Sequence, residues 1–236
     1  MYKLTNGNCL EVMDQMIADG VRVDSIITDP PFNIVEKIGK NIHLFRQGEK
    51  QVNGSISEDS MSFDVGFDQF AWLERIPKIL KKGGNLIIFN DWENMGDIAK
   101  ALRAHKIKIK CLNHWQKVNP CPAEWRRRFV AGREYFLHCT NGPKNTFNTD
   151  TVHHGDFMYP LTKQSEKKHG KHPNQKPLNL MEELITILSS EGQTIFDPFM
   201  GSGSTGVAAK NLNRDFIGIE LDEGYFNIAK ERINNV

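Results

Sequence analysis

Apolar residues fall into short dense runs separated by stretches of helical spacing, and this alternation persists along most of the chain. A short strand at 2–5 precedes apolar positions Leu10, Val12, Met13, Met16 and Ile17, which predict a helix over 10–18. The run at 23–28 is a buried strand leading into Asp29. Residues 33–66 lack periodicity and are rich in Gly, Asn, Ser and charge, so a long mobile loop is expected there. An amphipathic helix is predicted over 70–80, tolerating or ending near Pro77, and Lys82-Gly83-Gly84 then turns the chain into a buried strand at 85–89.

Beyond this lie a helix at 92–105 and strands at 107–115 and 134–139, which suit a hairpin. Residues 141–171 are polar, with little periodicity. The C-terminal part reads as helix 178–189, strand 194–196, helix 205–212, strand 216–220 and a closing helix from 225. Strands alternating with helices predict an α/β fold with a mostly parallel sheet.

At 236 residues the chain fits a single domain spanning 1–236, with a core large enough for a sheet covered on both faces. No stretch approaches the roughly 20 apolar residues of a membrane span, and the first residues do not resemble a signal peptide. The four cysteines form no Cys-x-x-Cys pair, which suits a reducing cytoplasm. Cys111 and His114 have metal-like spacing but no second close pair, so no metal is expected.

The formal charge of +1 conceals an asymmetry. Residues 99–180 carry 16 Lys and Arg against 5 Asp and Glu, a net +11, between two segments of −5 each. A lone run such as Arg126-Arg127-Arg128 is ordinarily a solvated surface, but a whole third of the chain at +11 suits a polyanionic partner. Nucleic acid leads.

Two motifs carry the chemistry. Gly201-Ser202-Gly203-Ser204-Thr205-Gly206 follows a predicted strand and opens a predicted helix, and a second strand ends on Glu220 about 20 residues later. Glycines there let a backbone approach a ligand, and the carboxylate suits two ribose hydroxyls. The turn lacks a P-loop lysine, which argues against ATP or GTP hydrolysis. A dehydrogenase sheet would continue after Glu220, yet only one helix of chain remains. The missing strands must come from the N-terminal part, so the sheet is circularly permuted, with 23–28 beside 194–196. That places Asp29 and the glycine turn at one carboxyl-end crevice.

The second motif is Asp29-Pro30-Pro31-Phe32. An exocyclic amine on a nucleobase is a poor nucleophile because its lone pair is delocalised into the ring. A site that accepts both N–H hydrogens frees that lone pair. Asp29 can accept one and the Pro30 carbonyl the other, proline fixing the backbone and Phe32 offering a face for an extruded base. Asp-Pro-Pro also occurs as a plain strand-ending turn, so the motif gains its meaning from the glycine turn.

With both motifs in place, the chain resembles the S-adenosylmethionine-dependent amino-group DNA methyltransferases over nearly its whole length. It resembles the subgroup with the catalytic motif before the cofactor motif, the beta-type order. Asp29-Pro30-Pro31-Phe32 matches the family's Asp-Pro-Pro-Tyr. Asp197-Pro198-Phe199-Met200-Gly201-Ser202-Gly203 matches its cofactor motif, and His172-Pro173-Asn174-Gln175-Lys176-Pro177 its His-Pro-x-x-Lys-Pro element. The resemblance implies a Rossmann-like, mostly parallel seven-stranded sheet with helices on both faces and an antiparallel hairpin strand on its C-terminal side.

It also implies roles. Asp29 would accept the target amine and Phe32 would stack on the base, with Pro30 and Pro31 shaping the turn. Phe199, Gly201 and Gly203 would line the methionine part of S-adenosylmethionine, Glu220 would hold its ribose, and Lys176 would lie near its carboxylate. Asn8 stands where relatives place an acid against the adenine. Cys9, Asn174, Gln175, Asp197, Ser202, Ser204, Thr205 and Leu221 complete the implied cofactor set, to which Asp29 also belongs.

Target recognition is expected in a short basic insertion at 119–171, through Arg126, Arg127, Arg128, Arg133, Lys163, Lys167, Lys168 and Lys171. Trp125 is read as core in preference to a wedge in the duplex. So short a segment suits a short or relaxed target in double-stranded DNA, or a homodimer pooling two surfaces. Asp at the head of the motif favours adenine N6. Methylation of cytosine N4 or of RNA by the same chemistry, and a silent nucleic-acid-binding protein, are the alternatives.

Overall fold

The structure, a computed structural model, describes residues 1–32, 67–120, 126 and 129–236. The predicted loop at 33–66 lies outside the described residues, as do Trp125, Arg127 and Arg128. The described strands are β1 Tyr2–Asn6, β2 Val23–Thr28, β3 Leu80–Asn90, β4 Lys108–Lys117, β5 Arg133–Thr140, β6 Asp156–Tyr159, β7 Thr194–Asp197 and β8 Asp215–Glu220. They form one sheet in the order β1-β8-β7-β2-β3-β5-β4-β6. β5 runs antiparallel to both its neighbours, and every other pairing is parallel. Its pairing with β4 is the expected hairpin.

The permutation is visible in the register. Ser25 and Ile26 of β2 lie beside Ile195 and Phe196 of β7, joining the N-terminal and C-terminal parts at the centre of the sheet. β1 closes the far edge along β8, from Tyr2 opposite Phe216 to Asn6 opposite Glu220.

Helices α1 Cys9–Ala18, α2 Ile76–Ile79 and α3 Met95–Ala104 cover one face; α4 Leu178–Leu188, α5 Ser204–Asn211 and α6 Glu223–Asn234 cover the other. β2 and β3 are apolar without alternation because both faces are buried. Ile26, Leu86 and Ile88 pack with Met13, Leu73, Ile76 and Leu102, while Ile27, Ile87 and Phe89 pack with Leu184, Val207 and Ile233.

Three elements differ from expectation. The helix predicted over 70–80 is a 3-10 turn, Leu73–Arg75, followed by the single α-turn of α2. Pro77 is the second residue of α2, in the first turn, where its missing N–H leaves no gap, so the helix starts just ahead of proline instead of running through it. β3 begins at Leu80 and carries the glycines within it. The register slips between Val23–Leu80 and Ser25–Asn85, and a Cβ on Gly84 would come within 2.7 Å of the Asp24 carbonyl, so glycine allows this close approach. β6, in the polar stretch 141–171, was not foreseen: of its four residues only Phe157 is buried, too little apolar signal to read as a strand. It makes an eighth strand, paired with β4 and braced by Trp115 Nε1 donating to the Tyr159 carbonyl at 2.9 Å.

Candidate active site

β2, β3, β7 and β8 all point their carboxyl ends to one edge of the sheet, and the antiparallel β5 begins there. The site is built on that edge. Thr28, the last residue of β2, donates to Asp197 Oδ1 at 2.7 Å, and Thr205 Oγ1 donates to Asp197 Oδ2 at 2.7 Å. Phe199 N–H adds a third bond to Asp197 at 3.1 Å. Asp197 is thus a buried strut joining β7, β2 and α5; burial pushes its pKa up to about 6 against these hydrogen bonds.

The next residue after β2 is Asp29. Its Oδ2 pairs with the Lys176 ammonium, and its Oδ1 is buried with no hydrogen-bond partner. Burial pushes the Asp29 pKa up to about 6, opposed mainly by the Lys176 charge. The same Lys176 ammonium lies 3.2 Å from Glu134 Oε2, at the start of β5, and Glu134 Oε1 pairs with Lys117 at 2.6 Å. Burial would lower the lysine's pKa, but the two carboxylates prevail and raise it, so Lys176 stays charged. Its ammonium lies 5.1 Å from the Phe89 ring centroid and 6.0 Å from that of Phe32.

The backbone after Asp29 is held by amides. Gln69 Nε2 donates to the Pro31 carbonyl at 2.6 Å, Asn94 Nδ2 donates to the Phe32 carbonyl at 3.1 Å, and Asn90 links them by donating to Gln69 Oε1 at 3.0 Å and accepting from Asn94 at 2.7 Å. Proline and these amides fix the turn together.

The glycine turn takes left-handed φ at Gly201 (+50°) and Gly203 (+78°), where glycine carries no steric penalty. A Cβ on Gly203 would also meet Ala229 of α6 at 2.9 Å, so this glycine serves packing as well as the turn. Ser202 is capped by Arg232, which donates to its carbonyl at 2.6 Å, and Ser204 Oγ donates to the Lys176 carbonyl at 2.9 Å. The side chains of Asp197, Ser202, Ser204 and Thr205 are therefore buried braces of the turn. Phe199 stands edge-on to Phe67 and Trp72, with centroids 5.3 and 5.2 Å away.

Glu220 ends β8. Its carboxylate accepts from Gly201 N–H and Asp222 N–H, each at 2.9 Å, which fixes its orientation, while burial raises its pKa. Gly7 N–H donates to the Glu220 carbonyl, so the β1 end brings Asn8 and Cys9 alongside Glu220 and the exposed Leu221. Asn8 Oδ1 accepts from Leu10 N–H at 2.8 Å as the N-cap of α1. Cys9 is partly buried, and burial pushes its thiol pKa up to about 11. Gln175 is buried with Oε1 unpartnered, Asn174 is exposed, and burial together with Lys176 pushes the His172 pKa down to about 4. Asp29, Lys176, the glycine turn, Asn8 and Glu220 are thus gathered at one edge.

Of the basic residues, Arg126, Arg133, Lys163, Lys168 and Lys171 are exposed and Lys167 is half-buried. Within 119–171, β5 and β6 are strands of the sheet itself. Sequence reasoning missed Glu134, Lys117, Gln69, Asn90 and Asn94. Each is an ordinary polar residue whose importance comes from a partner far along the chain. Among the described residues no group of three His, Cys, Asp or Glu could hold a metal ion, and no helix is long and apolar enough to cross a membrane.

A Rossmann-like sheet carrying an Asp-Pro-Pro-Phe turn beside a glycine turn, with an acid ending the next strand, is the arrangement of an amino-methyltransferase. The DNA methylase family matches residues 23–231, and the chain belongs to it: it is a DNA methyltransferase. It is 33% identical over 226 residues to the Type II methyltransferase M2.DpnII of Streptococcus pneumoniae, covering 89% of this chain and 82% of that one. With M2.LlaDCHI of Lactococcus lactis subsp. cremoris, another Type II methyltransferase, it shares 32% identity over 227 residues, 90% and 82% of the two chains. The crystal structure of the M1.HpyAVI-SAM complex superposes with a TM-score of 0.79 at 29% identity, covering 99% of this chain and 100% of that one.

Proposed function

We propose that this enzyme transfers a methyl group from S-adenosylmethionine to the N6 amino group of an adenine in double-stranded DNA, with the base rotated out of the duplex. The observation that carries the reading is the buried, unpartnered Oδ1 of Asp29 at the tip of β2, beside the glycine turn. A buried acceptor without a donor is costly, and an amine N–H presented by a base supplies one. The cofactor fits the same edge: Glu220 is oriented for a ribose, Asn8, Cys9 and Leu221 stand beside it, and Phe199, Gly201, Gly203 and Lys176 lie towards the reacting end.

When bound, S-adenosylmethionine supplies an electrophilic methyl group on a positive sulfonium. The protein's part is to hold the amine. Asp29 accepts one amine hydrogen and the Pro30 carbonyl the other, so the nitrogen lone pair is drawn out of the ring. As the nitrogen takes the methyl group it becomes positively charged, the fixed carboxylate stabilises that charge without reorganising, and the surplus proton then leaves to solvent, giving the neutral methylated amine. Phe32 stacks on the extruded base, and the Gln69–Asn90–Asn94 amides keep its turn rigid. Arg126, Arg133, Lys163, Lys167, Lys168 and Lys171 contact phosphate, and the basic parts of 119–171 choose the target. The choice of adenine rests on Asp heading the motif, and the cytoplasm is the compartment that suits it.

Asp29→Ala is expected to lower tritiated methyl transfer to mixed-sequence DNA by at least about 100-fold, the scale of losing a preorganised charge-stabilising group. Thermal stabilisation by S-adenosylmethionine should persist in the variant. An Asp29→Ala enzyme of full activity would end the proposal. Digestion of the methylated product to nucleosides should give N6-methyladenine; N4-methylcytosine, or methylation of RNA alone, would replace the substrate.

A further inference from the structure

A mostly buried line of alternating charge runs from the β4–β5 hairpin to Asp29. Lys117, Glu134, Lys176 and Asp29 pair in that order. The hairpin register fixes its outer half: Trp115 lies opposite Glu134, and Lys117 N–H donates to the Gly132 carbonyl at 2.8 Å. Lys176 is only 7% exposed, so water does little to screen it. One ammonium is divided between two carboxylates, and any gain in its hold on Glu134 is a loss in its hold on Asp29.

We propose that Glu134 and Lys117 are positioning residues of the methyl-transfer site: Glu134 draws Lys176 from Asp29 so that the Asp29 carboxylate is available to the amine, and Lys117 limits that draw. The inference rests on the reading of Asp29 as the amine acceptor. Two other titratable groups face this line. Asp197 approaches from β7 but is held by Thr28 and Thr205, and His172 beside Lys176 is neutral at pH 7. Glu134 and Lys117 act on Asp29 with opposite signs, the glutamate favouring its protonated form and the lysine its charged form. Opposite charges shift a neighbouring carboxyl in opposite directions whatever their role, so the loss of kcat in Glu134→Gln is the readout that separates positioning from mere support.

The test is the titration of the Asp29 carboxyl carbon by 13C NMR in the cofactor-free protein, its resonance assigned by loss in Asp29→Asn. Glu134→Gln should titrate at lower pH than wild type and Lys117→Met at higher pH. In parallel, Glu134→Gln should lose on the order of tenfold in kcat while KM for DNA changes little, because the missing interaction matters after binding. Equal midpoints in all three proteins, shifts in the same direction, or an unchanged kcat in Glu134→Gln would overturn the proposal. If Glu134→Gln fails to fold, Lys117→Met, at the more solvated end, decides by the direction of its shift. A wild type that transfers no methyl would defeat the reading of function, while the carboxyl titration would still decide the relay.

Discussion

At the scale of residues, the proposed acceptor role of Asp29 makes activity depend on its ionisation. Its pKa of about 6 is set chiefly by burial, with Lys176 opposing. Only the ionised form offers both oxygens as acceptors, so kcat/KM is expected to fall tenfold per pH unit below about 6 and to level off above it. Unfolding should not be the cause. A carboxyl whose pKa is higher in the folded protein than in the unfolded chain binds its proton preferentially when folded. The contribution of Asp29 to stability therefore grows as pH falls from 7 towards 4 and is lost as pH rises through 6. A pH–rate profile run beside thermal melts checks both halves; a plateau continuing below pH 4, under even the ordinary aspartate value, would remove Asp29 from the acceptor role.

At the scale of elements, the packing of α6 on the glycine turn determines what that turn tolerates. Gly206 lies inside α5, where alanine would ordinarily gain about 1 kcal/mol. Here a Cβ would meet the fully buried Phe216 ring at 2.7 Å and collide with Ile233 of α6. Overpacking of this kind costs about 1–3 kcal/mol, so the clash outweighs the helical gain. Gly206→Ala is expected to be less stable than wild type by up to about 2 kcal/mol in urea unfolding. A more stable variant would show that α6 can move away. The same logic explains why G-x-G-x-x-G is a weak motif when met alone: Gly203 and Gly206 are required by helix packing whether or not a ligand binds.

At the scale of the molecule, the sheet order gathers distant segments at one edge. β4 and β6 run parallel to β2, so the chain leaves them after Lys117 and Tyr159 at the same edge as Asp29, and the antiparallel β5 returns there with Arg133 and Glu134. The exposed Lys163, Lys168 and Lys171 thus stand on the chain that leads into Lys176. DNA affinity should fall steeply with salt, log K losing about 0.9 per decade of salt for each phosphate contact. Substituting these three lysines with alanine should reduce that slope by about 0.9 for each one that touches phosphate. Fluorescence-anisotropy titrations at several salt concentrations measure it, and an unchanged slope would move the DNA surface elsewhere.

The sequence alone determined the two motifs, their order and the permuted α/β sheet, because buried parallel strands and glycine turns leave local, dense signatures. Asp29, Lys176 and Glu220 were legible for the same reason: each stands in or beside such a signature. Only the tertiary structure decided which charge Lys176 meets, which amides hold Phe32, and that Asp197 braces three elements. Glu134 lies 42 residues before Lys176 and 105 after Asp29, and nothing local marks it. A buried ion pair is defined by the partner that replaces water, and that partner is supplied by the fold.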